Sequence, residues 1–180
     1  MKRDPILRLL RVYHTHDNEE QIMKTDAVQF IEQNPDCFER SLLIGHVTGS
    51  GWIVNRERTH TLLMHHKKLD KWFQPGGHCD GDPDVQAVAL KEAMEETGVA
   101  VSAVRHEIFD IDNHIIPLRN EVPEHTHYDI RFLLQAEMDS EELPSNSEAL
   151  AVRWIRLDEV HVFNNTRSIM RMVEKTKKLL

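Results

Sequence analysis

The sequence predicts an α/β protein: a mixed, mostly β domain over residues 41–180, preceded by a helical extension over residues 1–40. Three observations predict this class. Apolar residues recur at helical spacing before residue 40 and in two later segments. Between these lie strand-like runs separated by Gly, Pro and polar stretches. The β and α segments alternate too rarely for a doubly wound parallel sheet. A chain of 180 residues is long enough to bury a substantial core, and 40% hydrophobic with 29% charged residues is a globular composition.

Within the extension, Ile6, Leu9, Leu10 and Tyr13 mark a first helix. Asp17 or Asn18 caps a second helix running to about Gln33, with Ile22, Met23, Ala27, Phe30 and Ile31 on one stripe. Asn34-Pro35-Asp36 ends it. So short a helical hairpin rarely folds alone and is expected to pack on the β domain after it. Leu42–Thr48, Trp52–Arg56 and Thr61–His66 read as strands, the first two separated by Gly49-Ser50-Gly51. A Gly/Pro/Asp-rich loop from Gln74 to Asp84 leads into a helix over Val85–Thr97, with Gly98 at its C-terminal cap. Val104–Ile116, Tyr128–Met138 and Val152–Leu157 read as further strands, with a polar loop at Asp139–Ser147. Asn165–Lys178 closes the chain as a helix with Ile169, Met172 and Val173 facing in.

Several function classes are disfavoured. Lys plus Arg number 22 against 30 Asp plus Glu, and a net charge of −8 argues against a general or stable nucleic-acid partner. Two cysteines, Cys37 and Cys79, imply no disulfide framework and suit a reducing cytoplasm. No apolar run approaches the roughly 18–20 residues that span a bilayer. Met1 to Pro5 is basic, but no clean apolar segment comes after it. The expectation is a soluble cytoplasmic protein without a membrane partner.

The segment Gly77 to Val99 carries the chemistry. Glu92, Glu95 and Glu96 fall at i, i+3 and i+4, so three carboxylates share one helix face, with neighbouring Cβ atoms about 5–6 Å apart. Like charges at this spacing, in the C-terminal half of a helix, disfavour the helix. Lys91 offsets part of that; a divalent cation would offset all of it. By itself such a triplet is more often a solvated acidic face. A Gly-Gly loop at a fixed distance before it and Gly98 just after it change the balance.

In this setting the segment resembles the Nudix box: Gly, five residues, Glu, seven residues, then Arg-Glu-apolar-x-Glu-Glu-x-Gly-apolar. Gly77, Glu92, Ala93, Glu95, Glu96, Gly98 and Val99 match in register over 23 of 180 residues, and Trp72-x-Gln74-Pro75-Gly76-Gly77-His78 leads in. Two positions depart: Pro83 stands for the box Glu and Lys91 for the box Arg. Losing the Glu removes one partner of the Arg, so the two changes go together. Lys is a point charge without a bidentate fork, so Asp82 or Asp84 is the candidate for the loop-supporting role.

The resemblance implies an α/β/α sandwich and Mg²⁺- or Mn²⁺-dependent hydrolysis of a phosphoanhydride bond in a nucleoside diphosphate linked to another moiety. It assigns the metal to Glu92, Glu95 and Glu96, with the Gly77 carbonyl as a further ligand. Glu95 is one candidate for the general base. Glu148, in an acidic loop outside the box, is the other. Gln74, Gly76, His78, Arg119 and His127 are candidates for substrate binding, and Lys91, Asp84 and Gly98 for structural support.

His125 and His127 share a strand face with Asp129. That pattern can hold a transition metal, although lining a substrate cleft is the stronger expectation. Cys79 reads as structural. The expected substrate is a small nucleotide derivative: ADP-ribose, a dinucleoside polyphosphate, a nucleotide sugar and an oxidised nucleoside triphosphate all remain open. The extension would either cover the cleft or form a homodimer interface. Two alternative functions remain: a catalytically weak Nudix-like ligand-binding or regulatory domain, and an isoprenoid diphosphate isomerase. The acidity is concentrated. Residues 77–99 hold six acids and one base, and residues 137–148 five acids and none, so positive charge for a phosphate substrate would come from metal ions.

Overall fold

The computed structural model describes residues 1–67, 70–119, 122–143 and 149–179. Its helices are α1 (Asp4–Val12), α2 (Asn18–Gln33), α3 (Val85–Thr97), α4 (Val160–Phe163) and α5 (Arg167–Lys177). Its strands are β1 (Gly45–Val54), β2 (His60–His66), β3 (Lys71–Phe73), β4 (Gly76–His78), β5 (Ser102–Ile116), β6 (His125–Gln135), β7 (Glu142–Leu143) and β8 (Ala149–Arg156). The fold is α/β, a mixed sheet with flanking helices, as expected. Among the described residues the sheet runs in the order β5-β6-β1-β2-β8-β7, with β3 on β2 and β4 on β1. Among the described residues no helix is long and apolar enough to cross a membrane.

The chain forms two compact units. The first comprises Met1–Ser50, Gly77–Ala89 and His106–Phe132; the second comprises Gly51–Gly76, Leu90–Arg105 and Leu133–Leu180.

In the first unit, Pro5 lies in the first turn of α1, where its missing N–H costs nothing. Ile6, Leu7 and Leu10 are buried. The Asp17 side chain caps α2 by accepting from the Glu20 N–H at 3.0 Å. Ala27, Phe30 and Ile31 face the core, whereas Ile22, expected on the same stripe, is 63% exposed. Arg3 closes the other end of α2, donating from Nη1 to the Ile31 and Glu32 carbonyls at 2.7 and 2.9 Å.

Glu20 is fully buried. Its carboxylate accepts from the Tyr13 and Thr15 hydroxyls and, at 3.0 Å, from the Ile111 N–H of β5. The helical extension is thereby tied to a strand distant in the chain, Glu20 and Ile111 lying 91 residues apart. A buried guanidinium, Arg131, holds Asp129 at 2.8 Å and Asp110 and Asp112 at 3.2 Å. Burial works against its charge, but Asp129, Asp112 and Asp110 outweigh that and raise its pKa. The Thr48 and Ser50 hydroxyls donate to Asp129 at 3.0 and 2.7 Å.

The two strands expected at Leu42–Thr48 and Trp52–Arg56 are one strand, β1, buried at every position. Gly49-Ser50-Gly51 is not a turn. A Cβ on Gly49 would sit 2.7 Å from the Val85 carbonyl oxygen, and one on Gly51 would sit 2.5 Å from Leu134 Cδ1. These glycines admit close neighbours to a continuous strand.

In the second unit, β2 is antiparallel to β1 (Ile53 opposite Leu62), β3 (His65 opposite Trp72) and β8 (Leu62 opposite Trp154). Trp52 is fully buried, and its indole N–H donates to Thr176 Oγ1 of α5 at 2.9 Å. Ile169, Met172 and Val173 of α5 face inward as expected. The short strands β3, β4 and β7 have no counterpart in the sequence pattern. β6 begins at His125, three residues before the expected Tyr128, and β8 begins at Ala149 rather than Val152.

Candidate active site

Local chemistry sets both ends of α3. The Asp84 carboxylate accepts from the Ala87 N–H at 3.0 Å, which makes Asp84 the N-terminal cap. Asp82 accepts from the Asp84 N–H at 2.9 Å and orders the approach. At the other end Gly98 takes φ +71°, a left-handed conformation that costs glycine little, and its N–H reaches the Met94 carbonyl at 2.9 Å. Asp84 thus bonds the first turn of α3 and Gly98 its last turn.

The last two turns of α3 present the three carboxylates, all in the second unit. Glu95 is exposed, Glu92 half-buried and Glu96 only 8% exposed. Glu96 Oε2 accepts from the Gly76 N–H at 2.8 Å, so this carboxylate holds the first residue of β4. Lys91 is 63% exposed and reaches Glu95 at 3.1 Å and Glu92 at 3.4 Å. The Glu95 and Glu92 carboxylates raise its pKa. Each of these contacts is single, not the fork an Arg would make.

Gly77 and His78 continue β4 in the first unit, and Gln74 is half-buried just before it in the second. Arg119 is exposed, and its backbone pairs with Val122. Glu148, the other candidate base, lies outside the described residues.

The first unit gathers five histidines. His127 Nε2 lies 3.1 Å from His46 Nε2 and 3.3 Å from His125 Nε2. The rings of His78 and His114 have centroids 5.0 and 5.4 Å from that of His127. Burial, reinforced by the neighbouring imidazoles, pushes the pKa of His127 down to about 2 and that of His46 to about 4. Burial and Arg40 also lower that of His78. These three are neutral imidazoles at pH 7. The sequence pointed to His78, His125 and His127 but not to His46 or His114, which come from other strands.

Both cysteines are buried. Burial pushes the Cys37 thiol up to about 11 and the Cys79 thiol higher still, so neither is a thiolate near neutral pH.

A family model described as "NUDIX domain" matches residues 45–175. The chain belongs to the Nudix family. The Nudix helix is then α3, and the acidic face it carries is the one anchored to Gly76. Among relatives, the phosphatase NudJ of Escherichia coli K12 is 28% identical over 100 residues, which is 54% of this chain and 59% of that protein. The chain thus spans less than two thirds of that relative's length. The Ap4A hydrolase of Caenorhabditis elegans shares the fold at 13% identity, with a TM-score of 0.58 over 74% of this chain and 96% of its own. A UDP-X diphosphatase shares it at 15% identity, with a TM-score of 0.52 over 97% of this chain and 91% of its own.

Proposed function

We propose that this protein is a metal-dependent pyrophosphohydrolase that cleaves a phosphoanhydride bond in a nucleoside diphosphate linked to a second moiety. The observation that carries the reading is the Nudix helix itself: three carboxylates on one face, with Glu96 bound to the glycine strand. The donor set suits Mg²⁺ or Mn²⁺, which take hard oxygen ligands. Glu92, Glu95 and Glu96, with the Gly77 carbonyl, would hold the ion, which when bound neutralises phosphate oxygens and acidifies water.

The chain's own residues do the rest. Gly76 and Gly77 let the backbone approach a phosphate closely. Gln74 and Arg119 donate to the substrate. His78 and His127 are neutral, so their contacts with phosphate are hydrogen bonds rather than ion pairs. Water attacks one phosphorus, the bridging oxygen leaves with the other phosphate, and the proton lost by water passes to a carboxylate. Glu95, the most exposed of the triplet, fills that role; Glu148 is the alternative. Lys91 and Asp84 keep α3 in place.

The reading is tested by phosphate release from a panel of nucleoside diphosphate derivatives with Mg²⁺. Glu95→Gln and Glu96→Gln should each lower turnover by about 10²–10⁴-fold. Full turnover in both variants would sink the mechanism. Pro83 and Lys91 favour one second reading, a catalytically weak ligand-binding domain; substrate binding without turnover in the wild type would select it. The isomerase reading loses ground because Cys79 is buried and protonated.

A further inference from the structure

We propose that His46, His125 and His127 form a nitrogen-ligand site for a divalent transition-metal ion of the zinc class, chemically distinct from the carboxylates of α3. The proposal does not rest on the pyrophosphohydrolase reading, and it replaces the phosphate contact given there to His127.

Each of the three rings offers one nitrogen, and these nitrogens all lie within 4.8 Å of one another. Two of the separations, 3.1 and 3.3 Å, match the edge of a ligand tetrahedron, which is about 3.3 Å for zinc–nitrogen bonds near 2.0–2.1 Å. Hydrogen bonding alone satisfies this arrangement poorly. His125 Nδ1 lies 2.8 Å from the Pro123 carbonyl, an acceptor only, so Nδ1 carries the proton and Nε2 presents a lone pair. His127 Nε2 faces both other rings but has either one proton or one in-plane lone pair, so it can serve one neighbour well and not two. A cation takes all three lone pairs at once.

The outer surroundings are those of a metal-bound histidine. Donation of the remote ring nitrogen to a backbone carbonyl fixes the tautomer and orients the ring, as seen for His125. The ligands come from β1 and β6, which are neighbours in the sheet, so the site is built on strands rather than on a loop. The rings of His78 and His114 pack edge-on against His127, with His114 Nδ1 itself 3.4 Å from Asp112. An all-imidazole set selects Zn²⁺, Co²⁺, Ni²⁺ or Cu²⁺ over Mg²⁺. With its Nε2 on the ion, His127 no longer reaches a phosphate directly; a fourth ligand or a phosphate oxygen takes the open position instead.

The test is titration of metal-stripped full-length protein with Zn²⁺ in a large excess of Mg²⁺, monitored by calorimetry, and with Co²⁺, monitored by its visible absorption. One equivalent should bind, with the intense absorption of a four-coordinate nitrogen-ligated Co²⁺. His46→Gln and His127→Gln should each weaken Zn²⁺ binding by at least about 100-fold. Glu92→Gln with Glu95→Gln should leave the Co²⁺ spectrum intact, which separates this site from the carboxylates. Thermal melting checks that each variant is folded, and the wild-type spectrum does not depend on any variant. Absence of stoichiometric binding by the wild type, an octahedral oxygen-type Co²⁺ spectrum, or unchanged affinity in folded histidine variants would overturn the proposal.

Discussion

Glu20 is the residue whose environment departs most from what its type suggests. It falls in the first turn of a helix, where a carboxylate ordinarily interacts with water and the helix dipole. Here it is fully buried and accepts from two hydroxyls and the Ile111 N–H. Glu20→Ala should remove the acceptor shared by the Tyr13 and Thr15 hydroxyls and the Ile111 N–H, at about 3 kcal/mol. The expected loss in melting temperature is about 6–12 °C, and calorimetry showing a change under about 2 °C would contradict the role. Nothing at sequence level distinguishes Glu20 from Glu19 beside it, because its partners lie on a distant strand.

The same holds for His46, an isolated histidine in the sequence that becomes central once β6 pairs beside β1. Its folded pKa, about 4 against an ordinary 6.5, means the unfolded chain binds more protons between those values. Its stabilising contribution is therefore full above about pH 6.5 and is lost as pH falls toward 4. Melting of metal-stripped wild type across pH 7 to 4 should fall more steeply than that of His46→Gln, by on the order of 2 kcal/mol. Parallel curves would contradict the neutral buried imidazole.

At the scale of elements, α3 was readable to its boundaries. Its period, its capping Asp84 and its Gly98 are local signals that survive in the fold. β1 was not, because Gly-Ser-Gly is turn chemistry when only neighbours in sequence are considered. What decides is tertiary: the space over Gly49 is taken by the Val85 carbonyl, and that over Gly51 by Leu134. β3 went unread because it is three residues long and owes its existence to pairing with β2. Gly49→Ala is predicted to cost about 1–3 kcal/mol, since the close neighbour is backbone and cannot rotate away. Denaturant unfolding measures this, and a wild-type midpoint would show that β1 and the start of α3 can separate without cost.

At the scale of the whole molecule, charge governs how a phosphate compound can be bound. The chain carries −8, and the carboxylates proposed to face the substrate deepen the local negative potential. Binding of a non-hydrolysable nucleoside diphosphate analogue should weaken by at least about tenfold when Mg²⁺ is replaced by a chelator, the loss of one charge-assisted contact. Equal affinity in calorimetry would mean the protein's own cations suffice. The family and the position of its acidic helix could be read from the 23-residue segment Gly77 to Val99. Of the histidine cluster, His125 and His127 could be read from their i, i+2 spacing, but His46 could not, because it meets them only through strand order.

The bond from the Gly76 N–H to Glu96 makes one carboxylate answer to two constraints. One oxygen accepts from the backbone, and that bond orients the carboxylate proposed as a metal ligand. Glu96→Gln can preserve the acceptor while removing the charge, whereas Glu96→Ala removes both. Comparing the two separates the electrical role of the side chain from its architectural one. If the glycine strand is held chiefly by this bond, only the alanine variant should loosen substrate fit, raising KM beyond the fall in kcat that both variants share.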